Sequence, residues 1–122
     1  MIVAGLGFSN AATVDSLKAA YDQASSGHAV DALATVADKD GHAALDAFAA
    51  IVDLPLHLVA PADLAGQRTL TCSARSRATY GTGSVAEASA LAAAGFGARL
   101  ITPRQISHDR LATCAIAIGG QT

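Results

Sequence analysis

Short runs of Val, Ile, Leu and Ala alternate along this chain with amphipathic stretches of about three helical turns. That alternation restricts the fold more than any other feature. Ile2-Val3-Ala4-Gly5-Leu6-Gly7 reads as a short buried strand running into a glycine turn. Thr13 can cap a helix whose Val14, Leu17, Ala20, Tyr21 and Ala24 share one face, and Ser25-Ser26-Gly27 ends it. Ala32 to Ala37 is a second strand, with the loop Asp38-Lys39-Asp40-Gly41 at its carboxyl end. A helix over Ala43 to Val52, a stop at Pro55, a third strand Leu56 to Val59 and a helical turn at Pro61 to Leu64 follow. Gln67 to Tyr80 has no period and reads as a long loop with one extended piece at Thr69 to Cys72. Then come a helix starting at Ser84, a strand Ala98 to Ile101, a loop through Pro103 to Arg110 and a last strand Leu111 to Ile118. The predicted fold is α/β: a three-layer sandwich with a mostly parallel sheet of about five strands and helices on both faces. The last two strands lack a helix between them, which leaves room for an antiparallel pair. At 122 residues the whole chain, 1–122, reads as one domain. With aromatics at only 4%, the core must come from Val, Ile and Leu, with helices packed closely through alanine.

The densest local signal is Gly81-Thr82-Gly83-Ser84-Val85-Ala86-Glu87, continuing to Gly95. Ser84 and Glu87 stand in the S-x-x-E spacing of a capping box, in which the Ser84 hydroxyl takes the Glu87 amide and the Glu87 carboxylate reaches back to the Ser84 amide. Gly81 and Gly83 let the backbone enter the turn, and Gly95 ends the helix. Such a start presents amides and a positive dipole end to a carboxylate or phosphate, although a capping box alone marks only a helix start. In a sheet of this kind, ligands sit beyond the carboxyl ends of the strands. Three loops are expected there: Gly7 to Ala12, Asp38 to Gly41 and Thr102 to Ser107.

Charge narrows the ligand class. The net charge is −2, and six of the eight basic residues are arginines in the second half. There is no basic run and no interleaving of aromatics with Arg or Lys, so a nucleic-acid surface is not indicated. An anionic small molecule fits this pattern better. Lys39, between Asp38 and Asp40, and Arg104, after Thr102-Pro103, are the cations that strand-end loops would offer to carboxylates. Each also has a plain reading as a solvated charge. Gly7, Ser9 and Asn10 could serve a ligand or merely form the turn. Gly5-Leu6-Gly7 lacks the third glycine of a dinucleotide fingerprint, so no nicotinamide or flavin cofactor is assigned. His28, His42, His57 and His108 are scattered, and no metal is expected. Cys114 lies in an apolar strand as a core residue, and Cys72 has no visible base. The cysteines form no C-x-x-C pair, and no signal peptide or membrane span is read, which points to a cytoplasmic protein with reduced thiols.

Taken together, Val3-Ala4-Gly5-Leu6-Gly7, Leu33 to Lys39, Leu54-Pro55-Leu56, Gly83-Ser84-Val85-Ala86-Glu87-Ala88-Ser89-Ala90-Leu91, Leu100 to Arg104 and Ala112 to Ala117 resemble one family in order and spacing. It is the cobalamin-biosynthesis CobE proteins and the C-terminal domain of CbiG; the chain has the length of a free-standing CobE-like protein. The chain departs from the family in having Phe8-Ser9-Asn10 where a basic residue often stands, and Arg104 where lysine is frequent. The resemblance implies a role in corrin-ring assembly. The expected partner is a precorrin or corrinoid intermediate bearing many acetate and propionate groups. Gly7, Ser9, Asn10, Asp38, Lys39, Gly83, Ser84, Glu87 and Arg104 are the expected ligand-binding residues. Two further readings stand beside it: a hydrolase opening the precorrin δ-lactone with acetaldehyde release, with Lys39 or a loop residue assisting proton transfer, and a non-catalytic partner of another cobalamin-pathway enzyme.

Overall fold

The structure, a computed structural model, describes residues 1–120 and, at Arg75, the backbone alone. Strand β1 (Ile2–Phe8) leads into helix α1 (Val14–Ser25), strand β2 (Ala32–Val36), a single 3-10 turn (Ala37–Lys39) and helix α2 (Ala43–Val52). Strand β3 (Leu56–Val59), helices α3 (Pro61–Ala65), α4 (Ala74–Tyr80) and α5 (Val85–Ala94), and strands β4 (Arg99–Ile106) and β5 (Ala112–Ile118) complete the order. The sheet runs β3-β2-β1-β5-β4. β1 pairs in parallel with β2, and β2 with β3, whereas β5 is antiparallel to both β1 and β4.

The sheet is therefore mixed, correcting the mostly parallel expectation. Without a crossover helix, β5 must reverse after β4. Because it inserts between β1 and β4, that one reversal makes both of its ladders antiparallel. The other four strands point the same way, so the ends of β1, β2 and β4 meet the start of β5 at one edge of the molecule.

Alternation along β1 distributes its side chains. Ala4 and Leu6 join Leu17 and Ala20 of α1 and Leu45 and Phe48 of α2, all fully buried, with Cys114 and Ile116 of β5. Val3 joins Ala34 and Val36 of β2 and Ala88 of α5. Gly5 lets α5 approach: a Cβ there would collide with the Ala86 carbonyl oxygen and lie 2.6 Å from the Ala90 amide nitrogen. β1 continues through Phe8, so Gly5 and Gly7 are strand residues and not a turn; the chain turns after them, at Asn10 and Ala11.

Two further boundaries differ from expectation. Residues 74–80 form α4, capped by the Ser73 hydroxyl, which accepts from the Ser76 amide, and closed by Gly81 in the left-handed region at φ 69°. β4 runs on to Ile106 because it is an edge strand, where proline costs no ladder hydrogen bond. Its register against β5 shifts between Leu100 and Thr102 and again between Thr102 and Gln105. Pro103 and Arg104 occupy the second irregularity.

Candidate functional site

A cleft of about 300 Å³ opens at the edge where those strand ends meet. Its floor is Gly7 and Phe8 from β1, Thr35 and Val36 from β2, and Ala112 and Thr113 from β5. The Thr35 hydroxyl donates to the Leu6 carbonyl (2.8 Å) and the Thr113 hydroxyl to the Gly7 carbonyl (3.1 Å), tying the strand ends to one another. Ser84 and Val85 form the α5 side, and Ser73, Ser76, Thr79 and Tyr80 bring α4 over it. Lys39, Arg104 and Arg110 supply positive charge.

Of the residues expected from sequence, Gly7, Ser9, Asn10, Lys39, Ser84 and Arg104 line this cleft; Asp38, Gly83 and Glu87 do not. Ser84 caps α5 as expected, its Oγ accepting from the Glu87 amide at 3.2 Å. Lys39 turns toward the end of β1: its Nζ donates to Asn10 Oδ1 (3.1 Å) and sits 5.2 Å from the centre of the Phe8 ring. His42 Nε2 meets the Asn10 carbonyl at 3.0 Å, and its ring packs edge-on against Phe8. The Ser9 hydroxyl is buried with no hydrogen-bond partner among the described residues. Asp38 stands by the Tyr80 phenol, whose pKa is raised first by burial and then by that carboxylate.

Glu87 does not complete a capping box. Its side chain is 0% exposed, and its carboxylate turns away from Ser84 toward two other segments. Oε1 accepts the amides of Leu70 (2.7 Å) and Thr71 (2.9 Å), and Oε2 accepts the Thr71 hydroxyl (3.0 Å) and the Arg104 amide (2.8 Å). Four donors offset the desolvation of a buried carboxylate. The helix start could not also be served, because both oxygens are taken. Gly83 is needed here for space: a Cβ would come within 2.7 Å of the Thr69 hydroxyl and the Thr71 carbonyl.

The sequence reading passed over Arg110, Tyr80 and the α4 hydroxyls. Arg110 has φ 63°, in the left-handed region that a side chain enters reluctantly. Asp109 holds the turn. Its carboxylate accepts from the buried hydroxyls of Ser107 (2.6 Å) and Ser16 (2.6 Å) and from the Leu111 amide (3.0 Å). Those bonds lower its pKa from 3.8 to about 2. The signal in the sequence was Ser107-His108-Asp109-Arg110, a polar turn between two strands. Among the described residues no group of three His, Cys, Asp or Glu side chains is placed to hold a metal, and no helix is long and apolar enough to cross a membrane.

The chemistry on offer is anion binding. The guanidinium groups of Arg104 and Arg110 have no ion-pair partner among the described residues. The cleft they line also carries Ser and Thr residues and the start of α5, and Arg suits bidentate carboxylate contact. No nucleophile with an adjacent base appears among the cleft residues.

The family model described as "Cobalamin synthesis G C-terminus" matches residues 2–117. The crystal structure of CobE, from the cobalamin biosynthetic pathway, superposes with a TM-score of 0.84 at 31% identity, covering 96% of this chain and 89% of that one. The cobalamin biosynthesis protein ChiG of Agrobacterium tumefaciens str. C58 gives 0.76 at 36% identity, over 99% of this chain and 100% of its own. A cobalamin biosynthesis protein G homologue of Sulfolobus solfataricus shares the fold at 19% identity (TM-score 0.69), this chain spanning 36% of its length. No curated protein gives a match.

Proposed function

Because the chain belongs to the cobalamin synthesis G C-terminal family and so to cobalamin biosynthesis, we propose that its cleft binds a precorrin or corrinoid intermediate through the carboxylate arms of the macrocycle. The observation that carries this reading is the convergence of Arg104, Arg110 and Lys39 on a cleft otherwise lined by hydroxyls and the start of α5. A cleft of about 300 Å³ is at the small end for a bound molecule. It takes one or two acid arms and leaves most of the ring outside. The two sets of apolar contacts along β1 support a three-layer sandwich, with α1 and α2 on one face and α5 on the other.

Binding, not lactone opening, is the reading we favour, because no serine or threonine hydroxyl among the cleft residues is hydrogen-bonded to a base that would activate it. The test is an absorbance titration with hydrogenobyrinic acid, a cobalt-free corrin with free carboxylates, together with an assay for acetaldehyde when a lactone-bearing precorrin is supplied. A saturable shift that weakens in Arg104→Ala and Lys39→Ala supports the reading. Release of acetaldehyde would replace it with the hydrolase, and absence of any shift would overturn it.

A further inference from the structure

We infer that Glu87 is a positioning residue of the cleft, holding the Arg104 strand and the α4 wall together so that both are in place before a ligand arrives. This inference rests on the binding reading above, but its geometry stands independently. Arg104 lies where β4 slips its register against β5, between Thr102 and Gln105, and Pro103 beside it has no N–H. The Arg104 amide goes instead to Glu87 Oε2 at 2.8 Å. Irregularities of this kind re-aim side chains at functional sites, and here a buried carboxylate fixes the backbone from which the Arg104 guanidinium enters the cleft.

The other carboxylate oxygen holds Leu70 and Thr71. From there the chain reaches Ser73, whose amide donates to the Gly83 carbonyl at 2.7 Å and whose hydroxyl caps α4. Ser73, Ser76, Thr79 and Tyr80 then form a wall of the cleft. α4 is short and mostly exposed; Tyr80 at its end packs against the core beside Val36, Val59 and Leu64. Its N-terminal end is placed by the anchoring of residues 70–73. The two oxygens of one side chain thus tie together two walls of the cleft, and Glu87 does so from behind the cleft without lining it.

Glu87→Gln tests this with nearly the same shape. The amide group has one acceptor oxygen. If that oxygen keeps Leu70 and Thr71, the NH2 faces the Arg104 N–H, donor against donor, while the Thr71 hydroxyl can rotate to accept. The Arg104 amide should therefore exchange with solvent at least about tenfold faster, with Leu70 and Thr71 less affected. Affinity for hydrogenobyrinic acid should fall roughly tenfold at a temperature where the variant is fully folded. Because the effect passes through Arg104, the double variant Glu87→Gln/Arg104→Ala should bind no worse than Arg104→Ala alone, whereas Glu87→Gln and Lys39→Ala should add. Should Glu87→Gln fail to fold, Thr71→Val removes one donor on the α4 side and leaves the Arg104 bond in place, so it should lower affinity and add to Arg104→Ala, and wild-type affinity in Thr71→Val would overturn the inference. Wild-type affinity in Glu87→Gln, or full additivity with Arg104→Ala, overturns the inference. If the wild-type protein binds no corrin, the binding reading falls alone. Exchange then decides: a faster Arg104 amide in Glu87→Gln upholds the positioning role, and an unchanged one removes it.

Discussion

Gly5→Ala is the substitution that most sharply tests how α5 is seated. The added methyl would collide with the Ala86 carbonyl oxygen and lie 2.6 Å from the Ala90 nitrogen and 2.8 Å from the Ala90 Cβ. Two of these atoms are helix backbone and the third is the first carbon of a side chain, so none can rotate aside. The helix must lift off β1 instead. Gly7 and Ala86 would separate, and the Glu87 bonds, at 2.7 to 3.0 Å, would stretch. Overpacking of this kind costs about 1–3 kcal/mol, and the absence of any flexible neighbour puts it at the upper end. Replacing a strand glycine returns roughly 0.5–1 kcal/mol of chain entropy. The net loss is about 2 kcal/mol, or a fall of roughly 8 °C in Tm for a chain of this size. Gly66→Ala is the matched control: φ is −82° there and nothing lies within 4 Å of the added carbon. It should be neutral or stabilise by about 0.5 kcal/mol. Urea and thermal denaturation of the two variants measure both effects. Equal stability of Gly5→Ala and the wild type would refute direct backbone contact between α5 and β1.

Two further perturbations have defined outcomes. Ser84→Ala removes the cap on the Glu87 amide and should cost about 1 kcal/mol in urea unfolding. Asp109 binds its proton with a pKa near 2 in the folded chain, against 3.8 ordinarily. Between those values the unfolded state holds more protons, so the Asp109 contribution is present above about pH 4 and is lost as pH falls toward 2. Stability measured across that window should fall more steeply in the wild type than in Asp109→Asn, and parallel curves would show that Asp109 does not hold the turn.

Much of the fold was legible because local pattern and tertiary role agreed. Thr13 and Ser84 both cap helices, and the apolar stripe of α1 meets the core through Leu17 and Ala20. Legibility failed where a segment draws its structure from elsewhere. α4 carries Ser76, Arg77 and Thr79 and has no apolar stripe; it is fixed by its Ser73 cap, by the anchored residues before it and by Tyr80 against the core. β4 passes through Pro103 because only an edge strand tolerates it. The cleft was legible in part, since strand ends gather Ser9, Lys39 and Arg104 whatever the details. Glu87 was not. S-x-x-E looks the same whether the carboxylate turns back to the cap or reaches across to Thr71 and Arg104, and only the partner segments decide. Arg110 was hidden for a similar reason: a polar hairpin turn does not disclose which of its side chains borders the cleft.

The most direct measurement maps binding residue by residue. The 12.1 kDa chain suits two-dimensional amide NMR, and hydrogenobyrinic acid can be added stepwise. The cleft predicts that shifts concentrate at Ser9, Asn10, Ser84, Val85, Arg104 and Thr113 and saturate together. His57, Asp63 and Phe96, which line a separate groove, should stay still. Shifts confined to that groove, or spread evenly over the surface, would contradict the assignment of the cleft as the binding site.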